Sequence, residues 1–427
     1  MASSVHINQA LLITPSEPTP NHILPLSALD SQLFVRFTFE YLLVYEPRPG
    51  ADRHAIAHNV KSALARALVP YYPLAGRVRA RADGLGLEVV CRAQGVAFID
   101  ATSTSTTVSE FESAPRHEAQ WWNFLSLHVA DVLIGAPPLI VQFTWLHDGG
   151  AALAVGFNHC LCDGIGSGEF LNSFAELALG QPALRGPRPI WSRHLLDPVG
   201  PSRVGSLSLL EFESVPDISG LAARFSWERL VPTCITFDKS RLDEMKKLAG
   251  PGRTSFDVLS GHVWRSWARA LDLARDQRVK LAFSVNVRQR VRPSLPSGYY
   301  GNAFVLGCAE ARVADLAEKG LGFAAEAVAG AKERVGEERV REVVESVSWK
   351  RASVDPVGVL VLTQWSRLGL QSVDFGMGRP VQVGPVCCSK YCTVLPVCGV
   401  DNALKVNLAV PLTALDQYLY FLTNIDV

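Results

Sequence analysis

The residues best suited to chemistry in this sequence lie in a glycine-rich turn within residues 151–180. Alternating apolar and small residues lead up to His159 and predict a buried strand. Asp163 follows four residues later, and the next residues are rich in glycine. Apolar residues then recur at helical spacing until Gly180, a typical residue to end a helix. The pattern therefore places an imidazole where a strand passes into a helix, from which a rigid fold can present it to a cleft.

An imidazole in this position is suited to accepting a proton. Histidine has an ordinary pKa of about 6.5, so its neutral form is available at neutral pH. An alcohol or an amine becomes an effective nucleophile when such a base removes its proton. The alternative is that His159 is a structural histidine and that Asp163 caps the helix. A zinc site on this pair is disfavoured because the turn offers no third ligand.

The spacing within this turn excludes two other kinds of site. Residues 164–168 have neither the GxGxxG spacing nor the following lysine of nucleotide-binding loops. Ser167 has isoleucine, not glycine, two residues before it, so it does not form a nucleophile elbow.

Further motifs along the chain carry a resemblance to a known family. They are Leu-Val-Pro-Tyr-Tyr-Pro-Leu-Ala-Gly-Arg (68–77), Thr-Ser-Phe-Asp (254–257) leading into His-Val-Trp-Arg (262–265), Val-Arg-Gln-Arg (287–290), Gly-Tyr-Tyr-Gly-Asn (298–302) and Asp-Phe-Gly-Met-Gly-Arg-Pro (374–380). Together with His-x-x-x-Asp-Gly, they resemble the motifs of the plant acyl-CoA-dependent BAHD acyltransferases. The resemblance runs from about residue 6 to the C-terminus, in the family's order.

The local patterns alone predict two α/β halves, and the resemblance implies a more specific fold. It implies two similar mixed-sheet domains of the CoA-dependent acyltransferase (chloramphenicol-acetyltransferase-like) type, with a channel between them. We expect an N-terminal domain over residues 1–185, a crossover linker rich in proline and glycine over 186–216, and a C-terminal domain over 217–427. The resemblance also implies that a segment after about residue 375 returns to the N-terminal domain.

The resemblance implies an acyltransferase that transfers groups other than aminoacyl groups. A hydroxycinnamoyl, benzoyl, acetyl or fatty acyl group would pass from acyl-CoA, the only cosubstrate, to a hydroxyl or amine of a small molecule in plant specialised metabolism. His159 would act as general base for direct attack on the thioester through a tetrahedral intermediate, with no bound cofactor. The rival hypothesis is a catalytically idle member that binds an enzyme of lipid metabolism.

Five residues are expected to support the site without reacting. The resemblance implies that Asp163 points away from the site and pairs with Arg288, which holds the loop that aims His159. Gly164 belongs to the same motif, and Asp374 and Gly376 would shape the far loop at the domain interface. For Arg288, a surface ion pair of little energetic value is the alternative.

Candidate binding residues come from the later motifs. The resemblance suggests Ser255, Phe256 and Asn302 for CoA and Arg367 for an acidic acceptor, since arginine binds carboxylates with two hydrogen bonds. For Ser255, a helix N-cap is the alternative. The chain departs from the family at Met377, where tryptophan is usual, so an N–H donor is replaced by a flexible apolar side chain.

The amino-acid composition limits which binding partners and which cell compartment are expected. Lys and Arg number 41, as do Asp and Glu, and this balance argues against nucleic-acid binding. We expect no membrane span, no signal peptide, a cytoplasmic location and a monomer. The nine cysteines are expected to be reduced thiols. Four of them cluster without a C-x-x-C pair (Cys387, Cys388, Cys392 and Cys398), so a metal site there is the less favoured alternative, and we predict none.

Overall fold

The computed structural model describes residues 5–84, 86–113, 121–129, 131–198, 209–349, 356–386 and 391–425. Its strands are β1 Val5–Ile13, β2 His22–Pro25, β3 Thr38–Tyr45, β4 Arg77–Ala80, β5 Leu87–Cys91, β6 Val96–Ser103, β7 Leu139–Trp145, β8 Ala151–Asn158, β9 Leu230–Phe237, β10 Arg278–Asn286, β11 Phe304–Arg312, β12 Val359–Gln364, β13 Gln382–Pro385, β14 Cys392–Pro396 and β15 Leu404–Pro411. Its helices are α1 Arg53–Ala67, α2 Val108–Ser113, α3 Gly164–Ala178, α4 Leu221–Trp227, α5 Lys239–Ala249, α6 Ser255–Ala270, α7 Val313–Glu318, α8 Gly320–Glu333, α9 Glu337–Trp349 and α10 Leu415–Thr423.

The first half of the chain is built on a six-stranded mixed sheet in the order β1-β6-β7-β8-β3-β13. Only β6 and β7 run parallel among these neighbours. Strand β13 comes from the far end of the chain and pairs antiparallel with β3, with Gln382 opposite Val44. A separate three-stranded sheet, β2-β5-β4, lies in the same half. The first sheet therefore depends on a segment that follows most of the second one in sequence.

The second half is built on another six-stranded mixed sheet, in the order β11-β10-β12-β14-β15-β9. Strands β10, β12 and β14 run parallel, and the outer pairs are antiparallel. Both sheets have six strands and combine parallel with antiparallel pairs. Each also has helices packed on it, as expected from the resemblance. The predicted fold class is confirmed by this architecture and by the solved structures reported below.

The central strands of the first sheet, β7, β8 and most of β3, are buried on both faces, because different elements cover each side. Alternate side chains of β3 point to opposite faces, as they do in any strand. Tyr41 and Leu43 join the core beneath α1 and α3, whereas Leu42 and Val44 pack with residues such as Trp121 on the other side. Strand β8 has no exposed residue for the same reason. The strand that leads to His159 is thus rigidly supported.

The sequence predicts one strand over 33–45, a proline-rich loop after the first strand and a helical stretch over 313–347. The structure differs in all three places. The strand over 33–45 begins only at Thr38, and residues 33–35 form a short 3₁₀ turn. The loop after β1 contains the short strand β2. The helical stretch over 313–347 is divided into α7, α8 and α9, and the first break lies at Gly320, whose φ of 74° is left-handed.

The described part of the crossover region, residues 186–198 and 209–216, is not simply a solvent-exposed tether. Arg193 from its first piece is buried with only 1% of its surface exposed. Lys280 of β10 donates to the carbonyls of Leu210 and Glu213 in its second piece. Both contacts fasten the crossover to the domains. Within the described ranges, no helix has the length and apolar character needed to cross a membrane.

Candidate active site

His159 lies directly after β8 and lines a cavity of about 330 Å³ between the two sheets. Its backbone N–H donates to the carbonyl of Phe37 at 2.9 Å, which fixes the chain as it leaves the strand. The imidazole packs against the rings of Phe39 and Phe304, with centroids 4.7 and 5.8 Å away. Phe39 belongs to the first sheet and Phe304 to the second. The histidine is therefore held where the two halves meet.

Asn302 fixes one side of the imidazole. Its Oδ1 lies 3.0 Å from His159 Nδ1, and its Nδ2 donates to the carbonyl of His159 at 2.7 Å and to Asp30 Oδ1 at 2.8 Å. Both N–H groups of the amide thus face acceptors, so Oδ1 is the atom turned toward the ring. His159 Nδ1 must then carry the proton, which leaves the lone pair on Nε2.

This placement corrects the expectation that Asn302 contacts CoA. Asn302 is 0% exposed, and its amide is used entirely within the protein. A buried amide with all its hydrogen bonds made has no group to offer a cosubstrate. The motif around it was informative, but the side chain supports the histidine instead.

Several groups around His159 set its protonation state. Burial lowers the pKa of His159, because the charged imidazolium is poorly solvated there. Asp163, the hydrogen bond to Asn302 and the charge of Asp30 act in the opposite direction and offset part of this effect. The pKa remains below its ordinary value. His159 is therefore neutral at neutral pH and able to accept a proton on Nε2.

Asp163 is directed at Arg288 rather than at His159. Its two carboxylate oxygens accept from the Arg288 guanidinium at 2.8 and 2.9 Å. They also accept from the backbone N–H groups of Gly166 and Ala303, at 2.9 and 3.1 Å. Asp163 thus caps α3 and joins it to the loops of the other half.

The pair is buried, which argues against the surface alternative for Arg288. Its side chain is only 11% exposed. Burial by itself raises the pKa of Asp163, but the charge and hydrogen bonds of Arg288 and the backbone N–H donors outweigh it, so the pKa lies below its usual value. The Asp163 carboxylate is therefore ionised, and both of its oxygens accept hydrogen bonds.

The glycines after Asp163 serve close packing. A Cβ atom at Gly166 would overlap the backbone carbonyl of Tyr300, and one at Gly168 would press on the carbonyl of Leu368. Gly164 lines the cavity beside the side chain of Leu368. Ser167 is fully buried and lies 2.8 Å from the hydroxyl of Tyr41, so it is not presented to a substrate.

Asp374 forms a second, more local turn. Its Oδ1 accepts from the backbone N–H groups of Gly376 and Gly378, at 2.7 and 2.9 Å. Gly376 has a φ of 97°, a conformation that favours glycine, and its carbonyl accepts from Arg48 at 2.7 Å. Neither Asp374 nor Gly376 lines the cavity of His159. The turn leads the chain into β13 and so into the first sheet.

Met377 lies in the hydrophobic core of the first half and is not among the residues lining the reaction cavity. It is buried, with 5% of its surface exposed. The departure from the family motif at this position therefore changes packing next to the turn and not the chemistry around His159.

The other two candidates for CoA binding lie at a second, wider cavity of about 1010 Å³. Ser255 and Phe256 line it at the start of α6. The N-cap of that helix is Thr254, which forms a capping box with Asp257, so the N-cap alternative for Ser255 is wrong. Gln364 lines both this cavity and that of His159. The two spaces thus adjoin at one side chain.

The wide cavity carries an excess of positive charge. Its lining includes four basic side chains (Lys239, Lys246, Arg367 and Arg379) and two carboxylates (Asp243 and Asp401). Arg367 also lines a smaller cavity beside α3, but it is not among the residues around His159. Its expected contact with an acceptor would therefore require an acceptor that extends beyond the reaction cavity.

Two buried charged residues near His159 were missed in the sequence. Asp30 is 0% exposed, and Arg193 donates to both of its carboxylate oxygens at 3.0 and 3.1 Å. Residues 26–30, which end at Asp30, predict only a short helical turn, and Arg193 lies in the region interpreted as linker. The aromatic residues beside Arg193, Trp191 above all, were the available signal that this part of the linker is packed.

The described cysteines form no disulfide. Seven cysteines within the described ranges keep their thiols outside any disulfide. Cys392 lies in β14, whereas Cys387 and Cys388 fall outside the described residues. Across the residues that the structure describes, no three His, Cys, Asp or Glu side chains come together in a way that could hold a metal ion.

Comparison with known proteins places the chain in a family. A statistical model of the Transferase family matches residues 3–416. The chain is 32% identical over 426 residues to omega-hydroxypalmitate O-feruloyl transferase of Arabidopsis thaliana, covering 97% of this chain and 92% of that protein. It is 34% identical over 391 residues to alcohol acyl transferase 1, allele GSa, of Malus domestica, covering 88% and 84%.

Solved structures show the same fold. Vinorine synthase superposes with a TM-score of 0.75 at 19% identity, covering 97% of this chain and 96% of that chain. F. sporotrichioides TRI101 complexed with coenzyme A and T-2 gives a TM-score of 0.76 at 16% identity, covering 93% and 97%. The chain therefore belongs to the BAHD family and is an acyl-CoA-dependent acyltransferase.

Proposed function

We propose that this enzyme transfers an acyl group from acyl-CoA to the hydroxyl of an apolar small molecule, with His159 as general base. The observation that carries the proposal is the state of His159. Asn302 holds Nδ1, burial lowers the pKa of the ring, and the ring lines a cavity bounded by both halves. A positioned base of this kind is sufficient for acyl transfer, because a thioester already contains a good leaving group.

The reaction needs one proton to move twice. Nε2 of His159 removes the proton of the acceptor hydroxyl as its oxygen attacks the thioester carbonyl carbon, forming a tetrahedral oxyanion. The carbon–sulfur bond then breaks, the carbonyl re-forms in the ester product, and the imidazolium returns the proton to the thiolate of CoA. No covalent acyl-enzyme is required, since the acceptor itself attacks the acyl carbon.

Acyl-CoA would enter through the wide cavity. Its phosphates carry several negative charges, and Lys239, Lys246 and Arg379 supply positive charge along the wall. Ser255 and Phe256 would contact the CoA arm near the start of α6, and the thioester would pass Gln364 to reach His159. Arg367 lines the same wall and remains a candidate for an acidic group of an extended acceptor.

The lining of the reaction cavity favours an alcohol over an amine. It is mainly aromatic and aliphatic, including Phe34, Phe37 and Trp365. Among the described residues that line it, Asp163 is the one carboxylate, and Arg288 already neutralises it. A protonated amine would therefore enter without a counter-ion, which is costly in an apolar space. The relative named omega-hydroxypalmitate O-feruloyl transferase agrees with this choice.

We also propose that the enzyme works as a cytoplasmic monomer. One chain supplies residues from both sheets to the reaction cavity. The described cysteines form no disulfide, which fits a reducing compartment. Sedimentation of the purified enzyme and localisation of a tagged chain would test the two statements separately.

Thiol release is the decisive measurement. A panel of acyl-CoAs would be mixed with alcohols and amines, with wild-type enzyme beside His159→Ala and, as a matched control, the exposed His58→Ala on α1. We expect acceptor-dependent CoA release from the wild type and from His58→Ala, and a fall of about 10²–10⁴-fold for His159→Ala. An amine preferred over every alcohol would overturn the acceptor assignment.

The same panel decides the rival hypothesis of an idle binding partner. That hypothesis requires that wild-type enzyme and His159→Ala release CoA at the same background rate while acyl-CoA or a lipid-metabolism enzyme still binds. Binding measured by calorimetry on the same preparations would separate an idle member from a misfolded one.

A further inference from the structure

Asp30 lies at a junction of three segments that are distant in sequence. Its Oδ1 accepts from the backbone N–H and the side-chain amide of Asn302, at 2.9 and 2.8 Å. Its Oδ2 accepts from the backbone N–H and hydroxyl of Ser27, at 3.1 and 2.7 Å. Arg193 donates to both oxygens. Hydrogen-bond donors therefore surround both oxygens of this buried carboxylate.

Arg193 makes this arrangement possible by neutralising the charge. It is 1% exposed, and besides Asp30 it donates to the carbonyl of Leu161 at 2.7 Å, two residues after His159. Its guanidinium also stacks on the rings of Trp191 and Tyr300, at 4.3 and 5.0 Å from their centroids. A buried carboxylate without such a partner would destabilise the folded chain strongly.

The neighbouring glycine is fitted to this pair. A Cβ atom at Gly301 would overlap the guanidinium of Arg193. The peptide that carries Asn302 can therefore approach the ion pair only because its preceding residue has no side chain. The ion pair, Asn302 and the loop of His159 form one packed unit.

The direction of each hydrogen bond follows from Asp30. An ionised carboxylate only accepts, so the side chain of Asn302 must turn its N–H groups toward Asp30 and toward the carbonyl of His159. Its oxygen is then left to face Nδ1 of His159. If the amide turned over, its oxygen would meet two acceptors and its N–H groups would force the proton of His159 onto Nε2.

We propose that Asp30, neutralised by Arg193, is a positioning residue that sets the tautomer of His159 through the amide of Asn302. It touches neither substrate nor the reacting atoms. The catalytic consequence rests on the proposed role of His159 as general base, but the tautomer itself does not. A carboxylate that orients a catalytic imidazole directly is known to matter, since changing it to an amide in serine proteases lowers kcat by about 10⁴-fold through the wrong tautomer.

The test replaces Asp30 by its uncharged isostere. In Asp30→Asn the new N–H₂ group must face either Asn302 or Ser27, and in both cases it meets donors that the carboxylate had satisfied. The matched control is Glu211→Gln, because Glu211 is another buried carboxylate paired with an arginine, Arg339 at 2.5 Å, away from the reaction cavity.

The tautomer is read from long-range ¹H–¹⁵N spectra of enzyme labelled with ¹⁵N-histidine, with the His159 signals assigned by their loss in His159→Ala. We expect the Nδ1–H form in the wild type and in Glu211→Gln, and a shift toward the Nε2–H form in Asp30→Asn. We also expect kcat of Asp30→Asn to fall at least about 10-fold, with KM for acyl-CoA changed less than about 3-fold.

A double variant that leaves no buried charge unpaired is included in case the single variant Asp30→Asn does not fold. In Asp30→Asn/Arg193→Met both charges are gone, a change that folded proteins often tolerate. Retention of the Nδ1–H form in either folded variant, with kcat per folded enzyme as in Glu211→Gln, would overturn the proposal. If the tautomer of His159 changes in the variants but the wild-type enzyme releases no CoA, the positioning role of Asp30 is supported and the proposed function is rejected.

Discussion

Asp163 and Asp374 each close a glycine-rich turn, but the two turns do different work. Asp163 accepts from Arg288 and Ala303, which lie 125 and 140 residues further along the chain. Asp374 accepts from N–H groups only two and four residues away. The first turn joins the two halves beside His159, and the second shapes its own loop before β13. Two turns with similar local sequences can therefore contact partners at very different distances along the chain.

Removing the aspartate should therefore destabilise the protein more at the first turn than at the second. Removing one partner of a buried ion pair costs about 3–5 kcal/mol, because a charge is left without compensation. Losing a carboxylate that accepts from local N–H groups costs about 1 kcal/mol, as at a helix N-cap. Variants in both turns can test this difference directly.

The largest effect is expected for Asp163→Ala. It leaves the Arg288 guanidinium buried and unpaired and frees the loop that follows His159. We expect a loss of about 3–5 kcal/mol in the free energy of unfolding, measured by urea titration, and a fall in kcat of at least about 100-fold. Adding Arg288→Met should restore part of the stability. A loss below about 1 kcal/mol would show that the pair does not join the halves.

The pH profile should depend on the surroundings of His159 and not on the second turn. Only neutral His159 accepts a proton, and its pKa lies below the ordinary value of 6.5 because of burial. We therefore expect kcat/KM to stay level as the pH falls to 6.5 and then to drop about tenfold per pH unit below the lowered pKa. Asp374→Ala should give the same profile. An acid limb above pH 6.5 in the wild type would contradict the environment described here.

Gly166→Ala tests the close approach of the first turn to the loop that carries Asn302. The new methyl group would overlap the carbonyl of Tyr300, so the helix must shift away. We expect a loss of about 1–3 kcal/mol in calorimetric unfolding, with reduced kcat. Gly336→Ala is the control, because its added Cβ would meet open space. Equal stability of the two variants would mean that the turn tolerates displacement.

Asp374→Ala should have a smaller effect. Two N–H groups lose their acceptor, but the turn is half-exposed and water can replace it. We expect a loss of about 1 kcal/mol in urea unfolding and a change in kcat below about 3-fold. A loss as large as that of Asp163→Ala would remove the distinction between the turns.

The smallest effect is expected for Met377→Leu. Met377 packs in the core beside the second turn and not around His159. A substitution that conserves volume there should cost less than about 1.5 kcal/mol and leave kcat unchanged. Thermal unfolding and thiol release on one preparation would check both parts. A loss of activity without a loss of stability would instead connect this position to catalysis.

Much of the local structure could be predicted because it depends on neighbours in sequence. The turn from β8 through His159 into α3 was expected from the spacing of its apolar residues and is confirmed. The fold class came from the family resemblance, since no local pattern specifies that β13 joins the first sheet. Boundaries were less accurate, as at Thr254, where the side chain that caps α6 precedes the predicted Ser255.

The sequence by itself determined that this protein carries a histidine at a strand-to-helix turn, within motifs in the order of an acyltransferase family. Only the tertiary structure decided what surrounds that histidine. Asp30 lies 163 residues from Arg193 and 272 from Asn302, and nothing in their local sequences records that they meet. The reason is physical: burial and hydrogen-bond direction are properties of the packed chain, and here they set which imidazole nitrogen is free.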